Sequence, residues 1–157
     1  MTSAAGSRMT PAEVLALLPQ QRPFRFVDEI IEVDERHITG CYTFRGDEDF
    51  YAGHFPGRPM TPGVILLESM CQVGIVALGI YLFAMENSIE DARHWTTMFA
   101  DAECEFFRPV LPGEKVTIRA EKIFWRRSKL RCKIEMLADD GTLVAQTTAS
   151  GVGVRNA

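Results

Sequence analysis

The longest apolar stretch of the chain runs from Val64 to Ala84. Its 21 residues would suffice to cross a bilayer, and they are apolar on nearly every side of a helix. Glu68 and Gln72 nevertheless lie within it, on one helical face because they are four residues apart. Since a charged group is costly inside a membrane, we expect the buried central helix of a globular domain, starting at Thr61-Pro62, and no membrane span.

Alternation of apolar and polar residues predicts antiparallel strands on both sides of this helix. Two strands are expected before it, at residues 24–33 and 37–44, followed by a loop at 47–59. Four are expected after it, at residues 96–108, 116–121, 130–136 and 143–154, with turns at 111–114 and 140–141. A capping box at Thr10-Pro11-Ala12-Glu13 predicts a short first helix. This order predicts an α+β fold in which an antiparallel sheet wraps around the central helix, and it lacks the alternating helices of a βαβ array.

The composition is that of an ordinary globular domain, with 46% hydrophobic and 24% charged residues. The chain is expected to form one domain over residues 10–157, preceded by a flexible tail at residues 1–9 that lacks the apolar core of a secretion signal. The net charge of −4 argues against general nucleic-acid binding. The scattered cysteines predict buried thiols in a reducing, cytoplasmic compartment, at Cys41, Cys71, Cys104 and Cys132.

Two residues suited to proton transfer lie close together in the sequence. His54 occupies a loop punctuated by Gly and Pro, and a histidine titrates near neutral pH without help. Glu68 follows among Val, Ile, Leu and Met, where poor hydration favours the protonated carboxylic acid. Two such groups in different environments are what general acid–base catalysis requires. Each also has a structural interpretation: a loop histidine at the surface, and a glutamate hydrogen-bonded to Gln72 or to the backbone.

The segments around these residues resemble the 3-hydroxyacyl-[acyl-carrier-protein] dehydratases of the FabZ type. The resemblance covers most of the chain and is carried by residues 18–24, 27–28, 50–54, 62–63, 68–72 and 106–113. Its most specific part is His54-Phe55-Pro56-Gly57-Arg58-Pro59, followed by Pro62-Gly63 and then Glu68 at the spacing of the family. It implies a hot-dog fold and a homodimer or larger oligomer, with each active site formed by His54 of one subunit and Glu68 of the other.

Such an enzyme removes water from a 3-hydroxyacyl thioester and leaves a trans-2-enoyl thioester. We expect His54 to act as the base and Glu68 to protonate the departing hydroxyl. The Gly63 N–H, near the start of the helix, would donate to the thioester carbonyl, because unpaired N–H groups favour negative charge there; alternatively, Gly63 eases helix packing. The resemblance implies that the Met60 carbonyl fixes the His54 tautomer. Gln72 either orients Glu68 or fills the interface. With three histidines and no ligand cluster, no metal or other cofactor is expected.

Other features leave alternatives open about substrate and carrier. Related dehydratase-isomerases carry Asp at the position of Glu68, which favours dehydration alone here. Glu103 and Glu105 replace basic residues that are common in housekeeping members, so a specialised lipid, polyene or polyketide pathway is an alternative to fatty-acid biosynthesis. The cluster Arg126, Arg127 and Lys129 is either a docking surface for an acidic acyl carrier protein or a solvated face. The acyl group is carried by that protein or by CoA.

Two further functions are compatible with a fold of this kind. A hot-dog acyl thioesterase would aim a carboxylate at water, would release a free thiol and would not need the His54 motif. A non-catalytic acyl-binding partner subunit would lack the acid–base pair, whereas this chain has both His54 and Glu68. An assay that follows both the double bond and the free thiol separates the three functions.

Overall fold

Six antiparallel strands form one sheet in the computed structural model, which describes residues 6 and 8–156. In chain order they are β1 Glu29–Val33, β2 His37–Thr43, β3 Trp95–Phe106, β4 Lys115–Arg126, β5 Lys129–Ala138 and β6 Leu143–Arg155. Their order across the sheet is β1-β2-β4-β5-β6-β3, so β1 and β3 form its two edges. The predicted succession of two strands, a long helix and four strands is confirmed.

The long helix runs through the centre of the fold. The helices in chain order are α1 Pro11–Ala16, α2 Phe50–Gly53, α3 Gly63–Glu86 and α4 Ile89–Ala92. The middle turn of α3, Gln72–Ala77, is π-helical. The length and composition of α3 would suit a membrane span, but 67% of its most apolar window is buried inside the fold. This burial identifies α3 as the core helix that was predicted from the polar residues Glu68 and Gln72 within it.

Close packing of α3 on the sheet depends on small residues. A Cβ added at Gly74 would lie 2.5 Å from Cδ1 of Ile134 on β5 and 3.0 Å from Cβ of Ala120 on β4, so only glycine fits without a shift of its neighbours. The alternating residues of the two strands point at the helix as predicted, and these are buried: Val116, Ile118, Ala120, Leu130, Cys132, Ile134 and Met136.

Tight turns join the long strands. Arg127 and Ser128 connect β4 to β5, and both adopt positive φ, 53° and 60°, as a two-residue hairpin turn of type I′ requires. Gly141 turns the chain between β5 and β6 with φ +85°, and its N–H donates to the Ala138 carbonyl at 2.9 Å. The turn predicted at Asp140-Gly141 is therefore confirmed.

The N-terminal region contains the capping box that the sequence predicts. The Thr10 hydroxyl accepts from the Glu13 N–H at 3.2 Å, and the Glu13 carboxylate accepts from the Thr10 N–H at 3.1 Å. Of the predicted flexible tail, residues 1–5 and 7 lie outside the described residues. Met9, at its end, is only 4% exposed, so ordered packing begins before residue 10.

The first strand is shorter than predicted, because it begins at Glu29 and not at residue 24. Side chains of α3 form hydrogen bonds with the backbone of this segment, in place of those that a neighbouring strand would form. The Gln72 amide binds the Phe24 carbonyl and the Phe26 N–H, each at 2.8 Å, and the Ser69 hydroxyl donates to the Phe26 carbonyl at 2.7 Å. This segment is therefore attached to the helix instead of the sheet.

Candidate active site

The buried carboxylate of Glu48 anchors the start of the loop that carries His54. Glu48 accepts hydrogen bonds from the Tyr42 hydroxyl at 2.8 Å and from the N–H groups of Arg45 and Gly46 at 3.0 and 2.8 Å. Burial alone would raise the pKa of Glu48, but these hydrogen bonds lower it overall. Burial and the neighbouring Glu48 carboxylate raise the pKa of the Tyr42 hydroxyl, which stays a neutral donor. The start of the loop is thus attached to β2.

The end of the loop is held by a second pair of buried groups. The hydroxyls of Tyr51 and Thr61 lie 2.6 Å apart. The Thr61 N–H donates to the Val110 carbonyl at 2.9 Å, which connects the loop to the segment after β3. The chain around His54 is therefore anchored on both sides.

The imidazole of His54 has a defined orientation and tautomer. Its Nδ1 lies 2.7 Å from the Met60 carbonyl oxygen, and the Met60 N–H donates to the His54 carbonyl at 2.9 Å. A carbonyl oxygen only accepts hydrogen bonds, so Nδ1 carries a proton, and in the neutral imidazole Nε2 keeps its lone pair. The Phe55 ring stacks on the imidazole with centroids 4.1 Å apart. In the neutral tautomer, Nε2 is therefore the ring nitrogen that can accept a hydrogen bond or a proton.

Helix α3 begins with backbone groups that no side chain caps among the described residues. Pro62 is the N-cap and Gly63 the first helical residue. The first N–H groups of a helix have no partner within it, and the helix dipole favours negative charge there. The Phe106 ring of β3 covers Gly63, since a Cβ at that position would lie 3.3 to 3.5 Å from three ring atoms. This end of the helix can donate to an oxygen beside an aromatic wall.

Glu68 is held by the buried amide of Gln72. Gln72 has no exposed surface, and its Nε2 donates to Oε1 of Glu68 at 3.0 Å. The same amide binds Phe24 and Phe26, so its orientation is fixed by three hydrogen bonds. Because Oε1 accepts from Gln72, Oε2 is the oxygen left to carry a proton. This hydrogen bond is compatible with both interpretations of Glu68, the catalytic one in which Gln72 orients it and the structural one.

The predicted residues fall into two groups at opposite ends of α3. Gly63, Glu68 and Gln72 lie in its first half, directly after the His54–Met60 turn. The basic residues Arg126, Arg127 and Lys129 lie at the tip of the β4–β5 hairpin, and the neighbouring Trp125 donates to Glu86 at 2.8 Å. At about 1.5 Å per residue, the two ends of α3 are about 35 Å apart. Within one subunit the basic cluster is therefore remote from Gly63.

The acidic residues of β3 lie on the outer face of the sheet. Glu103 and Glu105 are exposed and pair with Thr148 and Gln146 of β6. Side chains alternate between the faces of a strand, and the neighbouring Phe106 points inward onto Gly63. The two carboxylates therefore do not line the helix side of the sheet, where Gly63 and Glu68 lie.

The cysteines are not suited to nucleophilic catalysis. Cys41, Cys71 and Cys132 are buried as expected, whereas Cys104 is only half-buried, because the β3 edge leaves it partly uncovered. All four are free thiols. Burial raises the pKa of each of them, for Cys132 to about 12, so the reactive thiolate is disfavoured at neutral pH. Among the described residues, no group of three or more His, Cys, Asp or Glu side chains is arranged to hold a metal ion.

Several residues that shape the site were not singled out from the sequence. Ser69 binds the Phe26 carbonyl, Glu48 anchors the loop, and Phe106 covers Gly63. A polar residue beside Glu68 on a buried helix was a usable signal for Ser69. No local signal exists for Phe106, because its contact with Gly63 depends on how β3 passes over α3.

Comparison with known proteins identifies relatives along most of the chain. The family model described as a FabA-like domain matches residues 18–148. The chain is 36% identical over 122 residues to the 3-hydroxyacyl-[acyl-carrier-protein] dehydratase FabZ of Proteus mirabilis, covering 77% of this chain and 78% of that protein. It is 35% identical over 137 residues to the FabZ of Klebsiella pneumoniae, covering 87% of each. It is 34% identical over 149 residues to the FabZ of Herpetosiphon aurantiacus, covering 88% of this chain and 93% of that protein.

Solved structures share the fold at low sequence identity. The dehydratase heterocomplex ApeI:P of Xenorhabdus doucetiae matches with a TM-score of 0.71 at 15% identity, covering 94% of this chain and 93% of that chain. The thioesterase HI1161 of Haemophilus influenzae matches with a TM-score of 0.67 at 17% identity, covering 98% and 96%. At these identities the likeness concerns the fold alone, and it confirms the hot-dog fold.

Proposed function

This chain belongs to the FabA-like family, and we propose that it is a hydro-lyase that dehydrates 3-hydroxyacyl groups carried by acyl carrier protein. The relatives whose names give this dehydratase activity align with most of the length of this chain. The observation that carries the proposal is the hydrogen bond between His54 and Met60, which leaves Nε2 of an anchored imidazole as a base. The proposed pathway is fatty-acid biosynthesis. A polyene or polyketide pathway is the alternative, because Glu103 and Glu105 replace basic residues that are common in housekeeping members.

In the proposed reaction, two residues move protons and one backbone group holds charge. Nε2 of His54 takes the proton from Cα as the C–H electron pair forms the new double bond. Oε2 of Glu68 gives its proton to the 3-hydroxyl as the C–O bond breaks, and water leaves. The Gly63 N–H donates to the thioester carbonyl oxygen, where negative charge develops. The hydrogen bond from Gln72 occupies Oε1 of Glu68, which supports Oε2 as the oxygen that donates the proton.

The proposed enzyme is a homodimer or a larger oligomer, with His54 of one subunit facing Glu68 of the other. Strand β3 supports this, because it is twelve residues long and forms an edge of the sheet. Met98 and Phe99 on this edge are 59% and 53% exposed. A long edge strand with exposed apolar residues is a liability unless another chain covers it. A second copy of β3 is the occupant that this proposal assigns to the edge.

The carrier protein is proposed to dock through Arg126, Arg127 and Lys129. Because this cluster is remote from Gly63 of its own subunit, it would have to serve a site that lies in the partner subunit. The matched test compares carrier and CoA thioesters of one acyl group at low and high salt, for wild type and for Arg126→Glu/Arg127→Glu. A carrier preference that weakens with salt and disappears in the charge-reversed protein supports docking. An unchanged preference and salt slope would identify a solvated face.

The reaction type is tested by following two products at once. Purified protein is given 3-hydroxyacyl thioesters on acyl carrier protein and as CoA esters, and enoyl absorbance and free thiol are measured together. We expect enoyl product, with no isomerised double bond and no thiol release. Thiol release without an enoyl product would assign a thioesterase, and neither product would assign a non-catalytic subunit.

The proposed location is the cytoplasm, where thiols stay reduced. The four cysteines are free, and Cys71 and Cys132 lie in the core, where reduced thiols pack as small apolar groups. Alkylation of the thiols in unfolded protein taken directly from cells tests this: four modified cysteines are expected, and disulfides would contradict it.

A further inference from the structure

A buried pair of hydroxyl groups, those of Tyr51 and Thr61, joins the two sides of the loop that carries His54. Their oxygen atoms lie 2.6 Å apart, and the two residues are only 5% and 3% exposed. A buried hydroxyl without a partner is destabilising, and here each hydroxyl has the other as its hydrogen-bond partner. The pair therefore holds the chain at residues 51 and 61 at a fixed separation.

Tyr51 is attached to His54 because both are part of the turn formed by α2. The His54 N–H donates to the Phe50 carbonyl at 3.0 Å, which makes His54 the C-cap of α2. The Tyr51 N–H donates to the Glu48 carbonyl at 3.2 Å, and the Tyr51 ring packs against the Phe50 ring with centroids 4.6 Å apart. The Tyr51 hydroxyl therefore belongs to the same turn as the proposed base.

Thr61 lies on the opposite side of the loop, where α3 begins. Pro62 separates it from Gly63, and the ring of a proline restricts φ, which is −58° here. The Pro62 carbonyl accepts from the N–H groups of Ile65 and Leu66 at 2.9 and 3.2 Å, so the first helical turn starts directly after Thr61. The position of Thr61 therefore determines where the first N–H groups of α3 point, including that of Gly63.

We propose that Tyr51 and Thr61 are positioning residues, which hold the Gly63 N–H at a fixed spacing from Nε2 of His54 in the same chain; this rests on the proposed function. The base removes the proton from Cα while negative charge develops on the oxygen of the adjacent carbonyl. Because Cα and the carbonyl carbon are bonded to each other, the base and the N–H donor can serve one substrate only at one spacing.

A second connection between the two sides of the loop is needed because a single connection leaves a hinge. The hydrogen bonds between His54 and Met60, through Nδ1 and through the backbone, form the first connection. The Tyr51–Thr61 hydrogen bond blocks rotation about it, since it joins α2 to the residue before Pro62. Burial raises the pKa of the Tyr51 hydroxyl, so this group stays neutral and exchanges no proton with the substrate at neutral pH.

Removal of both hydroxyls separates positioning from stability. Tyr51→Phe and Thr61→Val each keep the shape of the side chain and leave the partner hydroxyl unpaired, so each single variant should unfold at a lower urea concentration than wild type. The double variant should regain most of this stability, because no unpaired hydroxyl remains. Its kcat should stay about ten- to a hundredfold below that of wild type, with little change in KM. A kcat that recovers together with stability would overturn the proposal.

The carbonyl group of a bound product gives a direct readout of the Gly63 N–H. A trans-2-enoyl pantetheine thioester with an isotope-labelled carbonyl is bound to each protein, and its C=O stretching band is recorded by infrared difference spectroscopy. A well-placed hydrogen bond weakens the C=O bond, so the band should lie at higher wavenumber in the double variant than in wild type. An equal band position in the two proteins would contradict the proposal.

Two further variants serve as matched controls. Thr61→Ser keeps a hydroxyl at this position and should retain both the kcat and the band position of wild type. Ser150→Ala removes a fully buried hydroxyl that binds Arg131 and Asp101 on the outer face of the sheet, and it should lower stability without moving the band. A band that shifts equally in Ser150→Ala would assign the shift to general loosening of the fold and would overturn the proposal.

The two proposals fail in distinguishable ways. If wild type dehydrates no 3-hydroxyacyl thioester, the proposed function fails, and the band position of the bound enoyl thioester still tests the positioning. If wild type is active and the double variant keeps its kcat and its band position, only the positioning fails. If the double variant does not fold, comparison of Thr61→Val with Thr61→Ser decides the outcome in the same two measurements.

Discussion

At the scale of single residues, Gln72 connects the acid of the site to the N-terminal segment. Its fully buried amide binds Glu68 as well as the backbone of Phe24 and Phe26. Leaving a buried partner without its hydrogen bond costs about 1–3 kcal/mol. Gln72 therefore contributes both to stability and to the position of the carboxyl group.

Gln72→Met preserves an unbranched side chain and removes these hydrogen bonds. We expect kcat to fall by about ten- to a hundredfold through misplacement of Glu68, with a shifted pH–rate profile and little change in KM. Ser69→Ala is the control, because it removes a hydrogen bond to the same segment without touching Glu68. If both variants lose stability and neither loses kcat, Gln72 has only a structural role.

Glu48 makes stability depend on pH. Its pKa in the folded protein lies below the ordinary value of 4.5. Its stabilising contribution is therefore complete above pH 4.5 and is lost as the pH falls through the lower folded value. Urea unfolding at neutral pH should show Glu48→Gln less stable by about 1–3 kcal/mol.

The difference between wild type and Glu48→Gln should shrink as unfolding is repeated at pH values below 4.5. The exposed neighbour Asp47 provides the control, since Asp47→Asn removes only a surface ion pair with Arg45. A difference for Glu48→Gln that stays constant with pH would mean that the carboxylate charge does not contribute.

At the scale of elements, one local pattern was sufficient for each of the main elements: a long apolar stretch for α3, and alternation of apolar and polar residues for the long hairpins. It failed at residues 24–28, where side chains of α3 bind the backbone in place of a strand. It also missed the single-turn helices α2 and α4, which are too short for a periodic signal; for α4, the Ser88 hydroxyl that caps the Asp91 N–H was the only local indication. The π-helical turn at Gln72–Ala77 has no periodic signal either.

The two glycines within α3 are expected to respond oppositely to alanine. Gly79→Ala should stabilise the protein by up to about 1 kcal/mol, because helix propensity improves and the Cβ fits. Gly74→Ala should destabilise it by about 1–2 kcal/mol, because overpacking against Ile134 and Ala120 outweighs the same propensity gain. Chemical denaturation of both variants measures the two changes. Equal changes of one sign would show that the packing of α3 is not as described.

At the scale of the whole molecule, the proposed catalytic motif could be recognised from sequence because its residues are close in the chain. His54, Met60, Gly63 and Glu68 lie within fifteen consecutive positions. The surroundings of Gly79 could not be found in this way, since the atoms nearest to an added Cβ belong to Thr97 on β3 and Leu130 on β5. The proposed sharing of a site between subunits likewise depends on assembly, and the exposed β3 edge is the observation that supports it.

A site shared between subunits predicts complementation. His54→Ala and Glu68→Gln proteins, each nearly inactive alone, are mixed under conditions that allow subunit exchange. On the order of one quarter of wild-type activity should return, because about half of the dimers become mixed and each of those holds one intact site. Recovery should require exchange and be absent for crosslinked dimers. No recovery after demonstrated exchange would mean that each chain forms its site alone.

The rate of dehydration in wild type and in two single variants is the most direct test of the proposed function and of its two catalytic residues. Purified wild type, His54→Ala and Glu68→Gln are assayed with a 3-hydroxyacyl group on acyl carrier protein, with circular dichroism as the control for folding. We expect enoyl product from wild type and a rate lower by about 10²–10⁴-fold in each folded variant. A near-wild-type rate in either folded variant would contradict the assignment of that residue, and no enoyl product from wild type would contradict the function itself.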